Sequence, residues 1–304
     1  FKPGQIFDGL RIDEVLHDSR TTLLYRVTDP LSGRQLVLKT LRPELADDAE
    51  EIRALIMEEW RARRIVSPCF AQLVPSEKRS CLYYLQVWHE GATLQRRLDA
   101  GHHFTVADAV QYGMRLIKGL SVLHRLDVAH RDIKPANIHL GRDGQLRILD
   151  LGVALSLSED ECAPGSPGTP SYMAPELFTG DKAGTAHDLY AAGVTLYHLL
   201  TRKYPYGEIE PFQHPKFAEP VPPTRYRPDI PGWLENLVLK AVARDPARRF
   251  ETAEEFLLAL ERGAHRPLSR PPATPLAMRN PLLTWRIIAG VSLLLNLFLL
   301  MLLT

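Results

Sequence analysis

The chain has 304 residues, 45% of them hydrophobic and 24% charged, which is ordinary for a folded protein and excludes wholesale disorder. Its 37 Lys and Arg nearly cancel 36 Asp and Glu, leaving a formal net charge of +1, so there is no global basic field and no nucleic-acid partner is expected. The three cysteines, Cys69, Cys81 and Cys162, are widely spaced and form no Cys-x-x-Cys pair, which argues against a disulfide framework or a zinc site and for buried, inert thiols in a reducing compartment.

The start, Phe1-Lys2-Pro3-Gly4, carries neither an initiator Met nor a signal-peptide pattern. This part of the chain is therefore expected not to be exported, and it reads as a piece of a longer polypeptide. From Ile12 to about Leu41 the texture is strand-like, with Leu23, Tyr25 and Val27 alternating and Leu36-Val37-Leu38 running into Lys39, so two or three antiparallel strands are expected. Between Pro43 and Pro68, Ile52, Leu55, Ile56, Ala62 and Ile65 fall near helical spacing, and a strand pattern follows in Cys81–Val87. These elements make a small, mostly β lobe with one helix.

After Gly91 the pattern turns helical, as in Val106, Val110, Met114, Ile117, Leu120 and Leu123. Leu189–Leu200 is apolar almost throughout, the mark of a buried helix. A larger α lobe is expected here, followed by a Pro- and Arg-rich linker at 263–281. The pair His102-His103 and the single His187 lack metal-ligand spacing and are read as surface or capping residues.

The most specific string is His130-Arg131-Asp132-Ile133-Lys134-Pro135-Ala136-Asn137, followed by Leu146-Arg147-Ile148-Leu149-Asp150-Leu151-Gly152. Phosphoryl transfer needs an in-line nucleophile and a neutralised phosphate charge, and a short loop presenting a carboxylate beside a carboxamide can serve both needs. On these residues the chain resembles the eukaryotic-type Ser/Thr protein kinases of the bacterial kind over roughly residues 8–262. That resemblance implies an α+β, bilobal protein kinase fold, with a β-rich N-lobe to about residue 88 and a helical C-lobe from about 91. It also implies ATP and Mg2+ as cofactors and proteins as substrates.

Carried over residue by residue, the resemblance makes Asp132 the group that accepts the substrate hydroxyl's proton, and Asn137 and Asp150 the metal ligands. Lys39 matches the lysine that pairs with the α- and β-phosphates. The family needs a Glu on the following helix to hold that lysine, and both Glu58 and Glu59 are available. Glu58 shares a helix face with Leu55, Ala62 and Ile65 and takes the assignment. Ser19, Thr22, Val37, Val87, Trp88 and His139 are then placed around the nucleotide.

Gly168-Thr169-Pro170-Ser171-Tyr172-Met173-Ala174-Pro175-Glu176 is similar to the end of the family's activation segment, in which Ser156, Ser158 and Ser166 are candidate phosphorylation sites. Glu176 is expected to pair with Arg249, and Asp188 to brace the catalytic loop. Lys134 and Thr169 together mark a Ser/Thr rather than a Tyr kinase. Glu58-Glu59-Trp60 with Ser67-Pro68 looks like bacterial kinases fused behind a protein phosphatase, so a fused or partner phosphatase is expected.

Two departures stand out. Where the family reads Gly-x-Gly-x-x-Gly, this chain has His17-Asp18-Ser19-Arg20-Thr21-Thr22, without a glycine whose bare backbone could approach phosphate. At the adenine floor, His139 replaces an apolar side chain, and it reads equally as a packed core imidazole or as a ring stacked on adenine. An ATP-binding pseudokinase acting as a membrane-tethered scaffold therefore stays open beside the active enzyme.

Ile287–Leu303 runs without a charge, near the short end of the roughly 17–25 residues a membrane-crossing helix needs. With Trp285 and Arg286 at its start, a transmembrane helix is expected over 285–303. Arg262, Arg266, Arg270 and Arg279 precede it with no acid after Glu261, which places the kinase part in the cytoplasm of a single-pass inner-membrane protein in contact with membrane lipid. With so little after that segment, the chain resembles a tail-anchored protein. Ala289, Ser292 and Asn296 share one helical face through which self-association is expected.

Overall fold

Alternation of apolar side chains shapes the first sheet, interrupted by two register shifts of its second strand against its third, one between Ile12 and Glu14 and one between Val15 and His17. The computed structural model describes residues 1–76, 79–152, 155–156, 169–210, 215 and 217–263. Strands β1 (Ile6–Phe7), β2 (Leu10–Asp18), β3 (Thr22–Thr28), β4 (Gln35–Leu41), β5 (Leu73–Val74) and β6 (Tyr83–Val87) form one antiparallel sheet in the order β1-β2-β3-β4-β6-β5. On one face Leu10, Ile12, Tyr25, Val27, Leu36, Leu38, Tyr83 and Leu85 make a dry core. Because successive side chains in a strand point to opposite faces, the partners Val37, Lys39 and Leu41 of β4 turn to the other side.

That other side receives helix α1 (Ala49–Arg64), begun by Asp48, whose side chain accepts from the amides of Glu50 and Glu51. Leu55 of α1 packs against Leu41 and Tyr84. Ile56, counted among the apolar repeat in the sequence, is instead exposed, as is Trp60, so the buried stripe is narrower than the spacing suggested.

The segment 91–263 supplies the helical lobe. β7 (Gly91–Thr93) pairs with β9 (Ile138–Gly141), and β9 with β10 (Leu146–Ile148), while β8 (Val128–Ala129) pairs with β11 (Leu155–Ser156). Helices α2 (Leu94–Asp99), α3 (Val106–His124), α4 (Thr185–Thr201), α5 (Gly232–Ala241) and α6 (Ala253–Arg262) complete it. α3 opens on a capping box between Thr105 and Asp108. α4 is buried at every residue from Asp188 to Leu200, as its apolarity required. It lies close to its neighbours because Gly113 faces Leu196 and Gly193 faces Ala241, where an added Cβ would come within 2.7 and 2.6 Å.

The two lobes meet through backbone as well as side chains. Phe70 bridges Ile148 in parallel, and the Ile148 amide donates to the Cys69 carbonyl at 2.8 Å. The expected buried thiols are not found: Cys81 is exposed and Cys69 half-buried. Cys162, Ser158, Ser166, the linker beyond Gly263 and the helix expected at 285–303 lie outside the described residues. Among the described residues no helix is long and apolar enough to cross a membrane.

Glu176 ties the stretch that begins at Thr169 to the helical lobe. Its carboxylate accepts from both terminal nitrogens of Arg249, at 2.6 and 2.7 Å, and faces His187 Nε2 at 3.3 Å. His187 is also a capping residue, since its Nδ1 accepts from the Gly184 amide at 2.7 Å. Burial would raise the Glu176 carboxyl, but the hydrogen bonds from His187 and Arg249 outweigh it and pull the pKa down to about 2. A carboxyl depressed on folding adds stability that is complete above its ordinary value of 4.5 and is lost as pH falls toward 2. Arg249→Ala, which strands the buried carboxylate, is expected to cost about 3–5 kcal/mol. Thermal melts from neutral pH to pH 2 check this, and they should show a flatter acid dependence in the variant; an unchanged melting curve contradicts it.

Candidate active site

Lys39 is buried in β4, and its ammonium is held by carboxylates from two other elements. Nζ donates to Glu58 Oε1 and Oε2 of α1 at 2.7 and 2.9 Å, and to Asp150 Oδ1 at 3.0 Å. Burial alone would lower the lysine's pKa, but the charges of Glu58 and Asp150 prevail and raise it, so the amine stays cationic. Glu59, one residue on, points elsewhere, pairing with Arg79 at 2.6 Å and Arg63 at 2.7 Å. The choice of Glu58 rests on the helix face, and the geometry agrees with it.

Tyr84, which no sequence motif marks, completes this group. It lies across the ladder from Lys39 and donates its hydroxyl to Glu58 Oε1 at 2.7 Å. The signal was available only through the register of β4 against β6, which apolar alternation does not reveal.

The second group is built on the loop after β8. Asp188, near the start of α4 and almost wholly buried, accepts from the amides of His130 and Arg131, each at 2.8 Å. His124 Nε2 lies 3.0 Å from the same carboxylate, a contact that no motif announces. These bonds hold Arg131 at φ 70°, a left-handed conformation rare for a side chain of its size. The His130 ring also fixes a distance: Nδ1 accepts from the Asp132 amide at 3.3 Å, so Nε2 is the protonated nitrogen and donates to the Leu149 carbonyl at 3.0 Å. The loop is thereby fastened to the residue before Asp150.

On this support Asp132, Lys134, Asn137 and Thr169 converge. Lys134 Nζ lies 2.7 Å from Asp132 Oδ2 and donates to Thr169 Oγ1 at 2.9 Å. Asn137 Nδ2 donates to the Asp132 carbonyl at 2.8 Å and to Oδ2 at 2.9 Å. The amide nitrogen of Asn137 is thus turned to Asp132, leaving its Oδ1 without a hydrogen bond among the described residues. Asp150 uses only Oδ1, toward Lys39 and the Gly152 amide, and its side chain is 50% exposed. Burial would raise its pKa, but Lys39 overrides this and holds the carboxyl well below the usual range. Two free hard oxygens on adjacent stretches of chain suit an oxygen-seeking divalent cation with water in its remaining positions. Among the described residues no three His, Cys, Asp or Glu gather as a metal site made of side chains alone.

The residues expected around adenine fall on the seam between the lobes. Val37 is half-buried on the Lys39 face of β4, opposite Gln86. The Val87 amide donates to the Gln72 carbonyl at 2.9 Å and that of Trp88 to the Gln35 carbonyl at 3.3 Å. His139 sits in β9 opposite Thr93 and Arg147. Burial, reinforced by Arg147 and His89, lowers its pKa to about 4, so the ring is neutral at neutral pH. Gly91 is required beside it, because a Cβ there would lie 2.2 Å from the Leu140 carbonyl and 2.8 Å from His139 Cε1.

Ser19 and Thr22, expected to face the nucleotide, are occupied with each other. Ser19 Oγ accepts from the Thr22 amide at 2.9 Å and lies 3.1 Å from Thr22 Oγ1.

The protein kinase domain family model matches residues 20–257, most of the chain. The chain belongs to that family. Its curated relatives include the probable serine/threonine-protein kinase SCO3848 of Streptomyces coelicolor, 30% identical over 273 residues that cover 86% of this chain and 40% of the relative. Another is the serine/threonine-protein kinase PrkC of Bacillus subtilis, 30% identical over 239 residues, 77% of this chain and 37% of the relative. The chain thus spans about two-fifths of these relatives' length. Among solved structures, the kinase domain of Mycobacterium tuberculosis PknI superposes with a TM-score of 0.66 at 25% identity, covering 88% of this chain and all of that one. A second PknI kinase domain structure gives 0.64 at 26%, covering 86% of this chain and 98% of that one. The bilobal fold read from the sequence is therefore that of the family.

Within this kinase domain, Lys39→Met leaves the buried Glu58 carboxylate beside Tyr84 without its cation, an expected loss of about 3 kcal/mol or more in urea unfolding. Adding Glu58→Gln should recover much of it. Glu59→Gln, at a pairing open to solvent through Arg63, should shift stability by less than about 1 kcal/mol. No recovery on adding Glu58→Gln, or a loss in Glu59→Gln equal to that in Lys39→Met, would contradict the assignment.

Proposed function

We propose that this kinase domain transfers the γ-phosphoryl group of Mg-ATP to Ser and Thr hydroxyls of proteins. The observation that carries the reading is the joint placement of two groups: Lys39 between Glu58 and Asp150, and Asp132 with Lys134, Asn137 and Thr169 on a loop pinned by Asp188. In this reading Lys39 pairs with the α- and β-phosphates, and Asn137 Oδ1 and Asp150 hold the metal, which supplies charge neutralisation for the transferring group. Asp132 accepts the hydroxyl proton, with Lys134 beside it to balance the charge. The Lys134–Thr169 hydrogen bond supports Ser/Thr over Tyr acceptors. A scaffold that binds ATP without turnover is not favoured by any of these contacts, since the charged groups proposed for transfer, Lys39, Glu58, Asp132 and Asp150, each have a partner of opposite charge. Charge stabilisation contributes more to phosphoryl transfer than backbone shape does, and the glycine-free loop leaves it intact.

The test is incubation with labelled ATP, magnesium and a generic basic protein, with phosphosites mapped by mass spectrometry. Wild type should label the substrate and itself, the latter mainly between Asp150 and Glu176. Asp132→Ala should lower kcat by at least about 100-fold, the usual share of a positioned base. Retained activity in that variant sinks the assignment.

The segment 285–303 is proposed to anchor the kinase in the inner membrane as a single pass with the catalytic part in the cytoplasm, supported by its uncharged run and the arginines before it. Self-association through Ala289, Ser292 and Asn296 is part of the same proposal. The protein should stay in the membrane fraction after an alkaline wash; release into the supernatant shows that the segment does not span. A fused or partner protein phosphatase is a further proposal, supported by the resemblance of Glu58-Glu59-Trp60 with Ser67-Pro68 to bacterial kinases fused behind a phosphatase.

A further inference from the structure

The hairpin tip between β2 and β3 is closed on itself. Ser19 N donates to the Thr22 carbonyl at 3.0 Å, and the amides of Thr22 and Thr21 both donate to Ser19 Oγ, at 2.9 and 3.3 Å. Three of the four amides from Ser19 to Thr22 are therefore consumed inside the turn, and only that of Arg20 has no bond among the described residues. Arg42 then fastens the turn to the end of β4. Its Nε donates to the Ser19 carbonyl at 2.7 Å, its own amide to the Thr21 carbonyl at 2.9 Å, and its guanidinium pairs with the Asp18 carboxylate.

A loop so built cannot serve phosphate as a glycine loop does. Three of its four backbone donors are spent, and side chains at every position keep the main chain away from an anion. Lys39 cannot make up the loss alone, because its ammonium already divides its bonds between Glu58 and Asp150. The sheet register places the tip beside it: Leu24 lies opposite Lys39, and Thr22 opposite Leu41, so the turn begins just beyond the lysine. At that turn stands Arg20, exposed, with no hydrogen bond or ion pair among the described residues. The carboxylate nearest in sequence, Asp18, is occupied by Arg42 and does not neutralise it.

We infer that Arg20 is the phosphate ligand on the roof of this site, binding the β- and γ-phosphates of the nucleotide through its guanidinium in place of the amides that Ser19 withdraws. A guanidinium carries five donors in a planar fork that matches phosphate oxygens, and its long stem reaches where the backbone cannot. The inference rests on the kinase reading. It makes phosphate recognition on the roof a matter of one side chain's charge rather than of backbone shape.

The test compares Arg20→Ala and Arg20→Lys with wild type in the full chain, measuring equilibrium binding of ATP, ADP and adenosine together with KM for ATP and kcat. Arg20→Ala should weaken ATP and ADP about tenfold, as for the loss of a charged hydrogen bond, and raise KM similarly. Adenosine binding and melting temperature should not change, and Arg20→Lys should recover part of the loss. Unchanged ATP affinity overturns the inference. So does an equal loss for ATP and adenosine, which marks a disturbed hairpin rather than a lost phosphate contact. Binding decides the role of Arg20 whether or not turnover is seen, whereas absence of transfer by wild type in the same assay counts against the kinase reading instead.

Discussion

The site depends first on a lysine that would not tolerate burial by itself. Moving an ammonium out of water costs several kcal/mol unless opposite charge and hydrogen bonds meet it. Lys39 is met by Glu58 from α1 and by Asp150 from the far lobe, so one cation fixes three pieces of chain that are distant in sequence. Tyr84 adds a neutral donor to the same carboxylate and, with Lys39, works against the burial that raises the Glu58 carboxyl above its ordinary value. The group keeps its geometry only while all its members are present, which ties the orientation of α1 to the electrostatics of the cleft.

Asp188 plays the corresponding part below. A carboxylate in the apolar surroundings of α4 needs donors, and the loop supplies them as backbone amides from His130 and Arg131. The exchange satisfies a buried charge and also holds Arg131 in a backbone conformation that it would rarely adopt unaided. His130 passes the constraint onward to Leu149, so the positions of Asp132 and Asp150 are coupled through one imidazole.

Much of this was legible in the sequence, because the informative residues are either chemically rare in combination or periodic. The string from His130 to Asn137 and the helix face of Glu58 each point to residues that the structure brings together, and the apolar run of α4 is buried as expected. What was not legible depends on pairing register or on long-range donors. Tyr84 needed the alignment of β6 on β4, and His124 needed the packing of α3 beside α4. Ser19 and Thr22 were expected to face the nucleotide from position alone, but short hydroxyl side chains in a turn compete for nearby amides, and here they win. Cys81 was expected to be a buried thiol and Ile56 falls at helical spacing beside Leu55, yet both are exposed.

The near-complete burial of α4 bears on how the chain folds as it is made. A helix with no face for water cannot rest at the surface of a partial structure, and the residues that cover it come from both directions along the chain, α3 before it and α5 after it. During synthesis α4 must wait until α5 has left the ribosome, at roughly 5–20 residues per second. In that interval its apolar surface is open to other chains, so a ribosome stalled between Thr201 and Gly232 would release an aggregation-prone fragment, whereas one stalled beyond Arg262 would release a lobe able to close.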